Sequence, residues 1–294
     1  MMKKQSVANI WLLTAAIIWG FAFVAQRKGM EFSGPLTFNG LRFLLGCLTV
    51  LPTLLLFKTK KSLRSILLDK KLIISGILAG IALFFAITFQ QAGIIYTTAG
   101  NAGFITSLYI IIVPVFGLFR PRSSSAFTWT GAIIAFAGLY LLSFMNQDVG
   151  FNLQPGDLLV LISAFFWASH IVILSYVAPR HDFRLLAIVQ YAFAGGLSLI
   201  LGLIFEPYTA ISISSPISLL PVLYAGILSV GLGFTLQVAG QRHAKAEHAG
   251  IILSLEAVFA AIGGYLILGE TMTQTQLTGC ALMLVGVVVS QIRK

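Results

Sequence analysis

The sequence predicts an all-α membrane protein of ten transmembrane helices, arranged as two inverted-topology repeats of five. Three observations predict it. The 294 residues are 58% apolar and 10% charged, whereas soluble chains carry about 25% charged residues, so so much apolar surface calls for the bilayer as solvent. The apolar residues fall in runs of about 20, the length that crosses the hydrocarbon core. The chain also repeats itself after half its length, with its charges placed oppositely in the two halves.

The runs are Val7–Ala25, Pro35–Phe57, Leu72–Ile95, Ala99–Phe119, Phe127–Met145, Asp157–Ala178, Phe183–Phe205, Pro216–Gly240, Ala249–Leu268 and Gln274–Gln291. The links between them are short, the longest being Lys58–Lys71, and leave no room for a soluble domain. Lys3-Lys4 ahead of the first run has the look of a signal peptide. The run is too long for that role and lacks a small-x-small site before Gln26, so it reads as a retained first helix.

A net charge of +10 suggests nucleic acid, but the cations sit in short clusters between apolar runs and form no continuous basic face. They instead report orientation. With the N-terminus inside, 16 of the 19 Lys and Arg fall on the cytoplasmic side, only Arg27 and Lys28 fall outside, and Arg42 lies within a span. Both termini are therefore expected to face the cytoplasm, in the inner (plasma) membrane. Cys47 and Cys280 lie within apolar runs and read as small buried hydrophobes. No metal-ligand spacing and no phosphate-binding Gly-x-x-x-x-Gly-Lys-Ser/Thr stretch occurs, so neither a metal nor another cofactor is expected.

The repeat places residues 1–147 in one unit and 148–294 in the other. An offset of 148 aligns Ile18-Trp19-Gly20 with Phe166-Trp167-Ala168, Leu41-Arg42-Phe43 with Val189-Gln190-Tyr191, and Gly131 and Gly138 with Gly279 and Gly286. An offset of 147 aligns Phe89-Gln90-Gln91-Ala92-Gly93 with Leu236-Gln237-Val238-Ala239-Gly240. It also sets Asn101-Ala102-Gly103 and Ser107-Leu108 against His248-Ala249-Gly250 and Ser254-Leu255. Five helices is an odd number, so the second unit enters the membrane from the opposite side, as in secondary transporters. Arg122 aligns with Glu270, and the basic link Lys58–Lys71 with Glu206–Ser215, which has no Lys or Arg. Equivalent positions thus carry charges suited to opposite faces.

The Trp-Gly late in the first run, its Trp167 counterpart, and Leu255-Glu256-Ala257-Val258-Phe259-Ala260-Ala261 leading to Leu268-Gly269-Glu270 carry a resemblance. So does the closing Gln276-Leu277-Thr278-Gly279 through Gly286. Over essentially the whole chain, these residues resemble two units of the EamA family of the drug/metabolite transporter superfamily. The chain departs from the family at Ala257, where proline is usual, and the first half ends Leu118-Phe119-Arg120-Pro121-Arg122 without the Leu-Gly-Glu. The resemblance implies a central cavity lined by helices 1, 3, 4, 6, 8 and 9, with 5 and 10 peripheral, and export from the cytoplasm.

Polar groups at membrane depth are the candidate site, because an ionisable side chain there costs on the order of 3 kcal/mol and must face a partner or a cavity. Glu256 is an acid well inside a span, able to bind an ammonium group or carry a coupling proton, or else to fix helix packing. Its repeat equivalent Tyr109 offers a hydroxyl from the other half. Gln90 with Gln237 and Trp19 with Trp167 are equivalent pairs, readable as substrate-binding or as interhelical glue and packing. His170 shares a helix face with Ser163 and Trp167, and Gln26 follows Trp19 by two turns. Gln26, Asn101 and His248 are gate or coupling candidates. Arg42 reads as a side chain snorkelling to the outer interface with Glu31 as partner, the other reading being contact with an anionic substrate group. Pro114 and Gly263-Gly264 mark expected bends.

The resulting expectation is a secondary transporter, not an enzyme, moving amino acids or related amphipathic solutes by alternating access, with the lipid bilayer and a small-molecule substrate as partners and a homodimer left open. An organic-cation or drug exporter using Glu256 for cation and proton is the first alternative. A lipid-modifying intramembrane enzyme is remote, because its clustered acids or histidines are not seen. A membrane receptor or scaffold also fits ten spans, though the inverted repeat argues against it.

Overall fold

The computed structural model describes residues 2–56, 69–97, 99–118, 125–144, 154–206, 216–268 and 272–292. Ten helical columns are found among them: α1 (Met2–Gly29), α2 (Pro35–Leu56), α3 (Lys70–Ile95), α4 in two pieces (Ala99–Ser107 and Tyr109–Leu118), α5 (Ala126–Phe144), α6 (Pro155–Val177), α7 (Phe183–Phe205), α8 (Pro216–Leu223, Tyr224–Phe234 and Thr235–Gln241), α9 in two pieces (Ala246–Leu253 and Glu256–Leu268) and α10 (Gln274–Ser290). Seven stretches are long and apolar enough to cross a membrane, and the apolar helices Ala102–Leu118, Ala126–Leu142 and Gln274–Ser290 are shorter. The charge inversion of Arg122 and Glu270 and most of the basic link after α2 lie outside the described residues.

Local chemistry starts and stops these helices. Proline opens α2, α6 and α8, where its missing N–H costs nothing. Asp69 caps α3 by accepting from the Leu72 N–H, Asp182 caps α7 through the Arg184 N–H, and Thr273 with Gln276 forms a capping box on α10. The N-terminus of α2 is capped from a distance: Glu206, just beyond α7, accepts from the N–H groups of Leu36 and Thr37 at 3.0 and 2.8 Å.

Packing follows a pseudo-twofold exchange of the repeats. Three pairings map onto themselves, α5 with α10, α2 with α7, and α4 with α9. The others come in exchanged couples: α3 with α6 and α8 with α1, α3 with α7 and α8 with α2, α4 with α6 and α9 with α1. Glycine permits the closest of these crossings. A Cβ on Gly93 would stand 2.6 Å from Val160 Cγ2, and one on Gly240 would stand 2.8 Å from Leu12 Cγ. Gly240 is the counterpart of Gly93, and Leu12 that of Val160, so the same close approach is built twice.

Two features break the symmetry or the regularity. Both α4 and α9 are interrupted, at Leu108 and at Ser254-Leu255, which are equivalent positions. The expected bends at Pro114 and Gly263-Gly264 are therefore corrected: both positions fall inside continuous helix, and the chain turns earlier. Column α8 is π-helical over Tyr224–Phe234, whereas the equivalent stretch of α3 is regular α-helix. Pro221, three residues ahead of the π stretch, has no N–H to contribute to the ladder. Within this stretch the Ser229 carbonyl accepts from Trp19 Nε1 at 3.1 Å.

Candidate functional site

The interruptions of α4 and α9 set the site. Each ends one helical piece and starts another, and the first residue of the new piece is Tyr109 in α4 and Glu256 in α9. The Tyr109 hydroxyl donates to Glu256 Oε1 at 2.9 Å. Two positions exchanged by a two-fold touch only near its axis, so this bond lies close to the pseudo-twofold axis. Leu255 N–H reaches back to Ile252 O, and Ser254 Oγ donates to Ile251 O at 2.8 Å, which satisfies carbonyls freed by the break.

Around this pair lies a narrow cavity. Column α1 lines it with Trp19, Phe23 and Gln26, and α3 and α4 with Gln90, Thr106 and Tyr109. The second repeat adds Trp167 and Ile171 from α6, Ser229, Phe234 and Gln237 from α8, and Leu253 and Glu256 from α9. Arg42 of α2 completes the lining. Its walls are aromatic: the Trp19 ring lies 4.5 Å from Phe234, Trp167 stacks on Phe234 at 5.6 Å with 17° between planes, and the two tryptophans are 6.5 Å apart. Columns α5 and α10 contribute nothing to the lining.

The polar atoms divide into satisfied and open ones. Gln90 Nε2 donates to Thr106 Oγ1 at 2.9 Å. The equivalent of Thr106 is Leu253, so the Gln237 amide nitrogen lacks that partner; separately, Gln237 Oε1 is buried without a hydrogen bond. Gln26 Oε1 and Trp167 Nε1 are in the same condition, although the Gln26 backbone carbonyl accepts from Gln91 Nε2 at 3.2 Å. A buried polar group left unpaired costs roughly 1–3 kcal/mol, so these lining residues hold unused hydrogen-bonding capacity beside the cavity.

Seven of the singled-out residues, Trp19, Gln26, Gln90, Tyr109, Trp167, Gln237 and Glu256, are brought together here. Three are not. His170 is fully buried behind the wall, with Nε2 2.8 Å from Gln190 Oε1, so it belongs to the packing between α6 and α7. His248 lies on the far side of α9's first piece, 3.4 Å from Thr128 Oγ1. The side chain of Asn101 lies outside the described residues.

Arg42 is the correction of most consequence. It does not snorkel: it is 2% exposed, and Glu31 pairs with Lys28 at 2.9 Å instead. Its Nε donates to Asn39 Oδ1 at 3.0 Å, and Asn39 Nδ2 is held by Ile87 O at 3.1 Å. Sequence spacing put Arg42 near a helix end but could not show that the fold buries it. Phe234, Thr106 and Ser229 carried no sequence signal, apart from the apolar run in which each sits.

At the end of the bundle away from the termini, α1, α3 and α6 are tied together. Arg27 Nη1 donates to Thr97 O at 3.2 Å, and the Thr97 hydroxyl donates to Asp157 in a short hydrogen bond. Among the described residues, no group of three or more His, Cys, Asp or Glu is placed to hold a metal ion.

Known proteins agree with this architecture. A solved crystal structure covering 97% of this chain and 96% of its own superposes with a TM-score of 0.79 at 19% identity, which establishes the fold. An uncharacterized transporter of Archaeoglobus fulgidus is 32% identical over 297 residues, spanning 99% of this chain and 87% of that protein. The threonine/homoserine exporter RhtA of Escherichia coli is 30% identical over 164 residues, covering 54% of this chain and 52% of RhtA. The EamA-like transporter family matches residues 6–144 and again 154–291. This chain, with its two exchanged repeats meeting at Tyr109 and Glu256, therefore belongs to the EamA-like transporter family.

Proposed function

We propose that the protein exports a small amphipathic solute, an amino acid or a close relative, from the cytoplasm by alternating access. The observation that carries this reading is the buried cavity on the pseudo-twofold axis, where interrupted helices from both repeats present Tyr109 and Glu256. Residues 1–147 and 148–294 act as the two units that rock about it, in the inner membrane with both termini cytoplasmic. Aromatic walls with few polar groups match a solute with one apolar and one polar end. The partial similarity to RhtA supports an amino-acid cargo and the outward direction. Transport, not catalysis, is the activity proposed, with Trp19, Gln26, Gln90, Trp167, Gln237 and Glu256 contacting the solute.

The test is counterflow in proteoliposomes with labelled amino acids, nucleosides and organic cations, with and without a pH gradient. Amino acids are expected to exchange faster than in empty liposomes. A panel in which no amino acid does so overturns the reading. Glu256 is the one carboxylate lining the cavity, which favours a second reading, an organic-cation exporter. That reading prevails if cations without a carboxylate exchange and amino acids do not.

A further inference from the structure

The transport reading leaves one buried charge unexplained. Arg42 lines the cavity at 2% exposure, and among the described residues it makes no ion pair. A guanidinium offers five N–H donors in a planar fork, and among the described residues its one acceptor is Asn39, through Nε. The fork is held in place nonetheless. Asn39 is tied to the backbone of α3, and the guanidinium carbon lies 5.5 and 5.2 Å from the ring centres of Phe38 and Phe43. A buried cation that is held rigidly but unpaired is costly unless an anion joins it. The equivalent position in the other repeat is Gln190, a neutral side chain already engaged by His170 and absent from the cavity lining. Among the described lining residues, positive charge therefore comes from the first repeat only, through Arg42, and negative charge from the second, through Glu256.

We infer that Arg42, oriented by Asn39, is the anion subsite of the cavity and binds the carboxylate of the transported solute through the outer nitrogens of its fork. This deepens the proposed function and rests on it. A fork matched to a carboxylate makes two parallel hydrogen bonds that no alcohol, ester or amine reproduces. The cavity then selects solutes that carry both a carboxylate and an amino group, and it holds them in one orientation.

The test uses the full chain in proteoliposomes with threonine, leucine and phenylalanine, each beside its decarboxylated amine and its methyl ester. Wild type is expected to move the acids at least about tenfold faster than amines or esters, the discrimination one bidentate charge-assisted pair provides. Arg42→Gln is expected to abolish that preference, losing the acids while the amines change little, and Arg42→Lys to recover part of it. Equal losses of acid and amine transport in Arg42→Gln overturn the assignment. If the variants do not fold, wild type decides alone, through binding of acid, amine and ester followed by the fluorescence of Trp19 and Trp167. Acid and amine bound or moved alike overturn the Arg42 subsite and leave transport standing. A wild-type protein that moves none of these solutes, nor any other in the panel, overturns the transport reading and the subsite with it.

Discussion

The Tyr109 hydroxyl donates to Glu256 Oε1 at 2.9 Å, and these two residues hold equivalent positions in the two repeats. The same exchange brings Trp19 and Trp167 to 6.5 Å. The chain thus uses each symmetric position for a different chemical purpose on its own axis: donor against acceptor, Thr106 against Leu253, Arg42 against Gln190. A symmetric scaffold can rock between two states, while the asymmetric side chains give the cavity a polar direction.

Removing the donor separates packing from chemistry at the axis. Tyr109→Phe leaves the buried Glu256 carboxyl without its partner and is expected to cost roughly 1–3 kcal/mol, read as a lower melting temperature in detergent. Glu256→Gln keeps an acceptor for Tyr109 and removes the charge. It is expected to retain the melting temperature and to lose about tenfold in amino-acid counterflow, the effect of about 1.4 kcal/mol at the binding site. Full counterflow and full pH-driven accumulation in Glu256→Gln would leave that residue structural.

Gln237 lacks the hydroxyl partner of its counterpart Gln90, because Leu253 stands where the first repeat has Thr106. Leu253→Thr restores in the second half the hydroxyl that Thr106 supplies to Gln90. The added partner is expected to occupy the Gln237 amide and to raise KM several-fold, by roughly 1 kcal/mol, with maximal exchange rate unchanged. An unaltered KM would remove Gln237 from the solute contacts.

Close packing of α5 on α10 depends on glycine. A Cβ on Gly279 would stand 2.6 Å from the Gly138 carbonyl oxygen, and one on Gly131 would stand 2.5 Å from that of Gly286. Backbone cannot move aside as a side-chain end can. Gly279→Val and its counterpart Gly131→Val are each expected to destabilise by about 1–3 kcal/mol in thermal melts. Neither helix lines the cavity, so the affinity of the protein that remains folded is expected to hold.

Asp182, before α7, sets an acid dependence. Burial alone would raise its carboxyl, but the Arg184 side chain, with the N–H groups of Arg184 and Leu185, holds it below the ordinary carboxylate range. A depressed folded value contributes stability at pH above the unfolded value, about 3.9, and loses it as pH falls through the folded value. Wild type should therefore melt above Asp182→Asn by a constant margin between about pH 5 and 8, a margin that closes below about pH 4. A margin independent of pH down to the acid limit would show that the charge on Asp182 is not the cause.

What the sequence determined by itself was the periodic part of the molecule. Apolar run length sets which segments cross a bilayer, because each residue advances a helix by a fixed rise. The offsets of 147 and 148 related Tyr109 to Glu256 and Trp19 to Trp167 before any contact was known. Only the tertiary structure decided where regularity fails and what the failures expose. The breaks fall at Leu108 and Ser254-Leu255, residues with no breaker signature, while Pro114 and Gly263 sit within helices. The reason is that these interruptions are closed by shifted local hydrogen bonds, such as Leu255 N–H to Ile252 O and Ser254 Oγ to Ile251 O, which need neither glycine nor proline. Arg42 makes the same point: its helix position suggested the interface, and burial within the bundle places its charge in the cavity. Burial belongs to the neighbours that the fold supplies, and no local pattern encodes it.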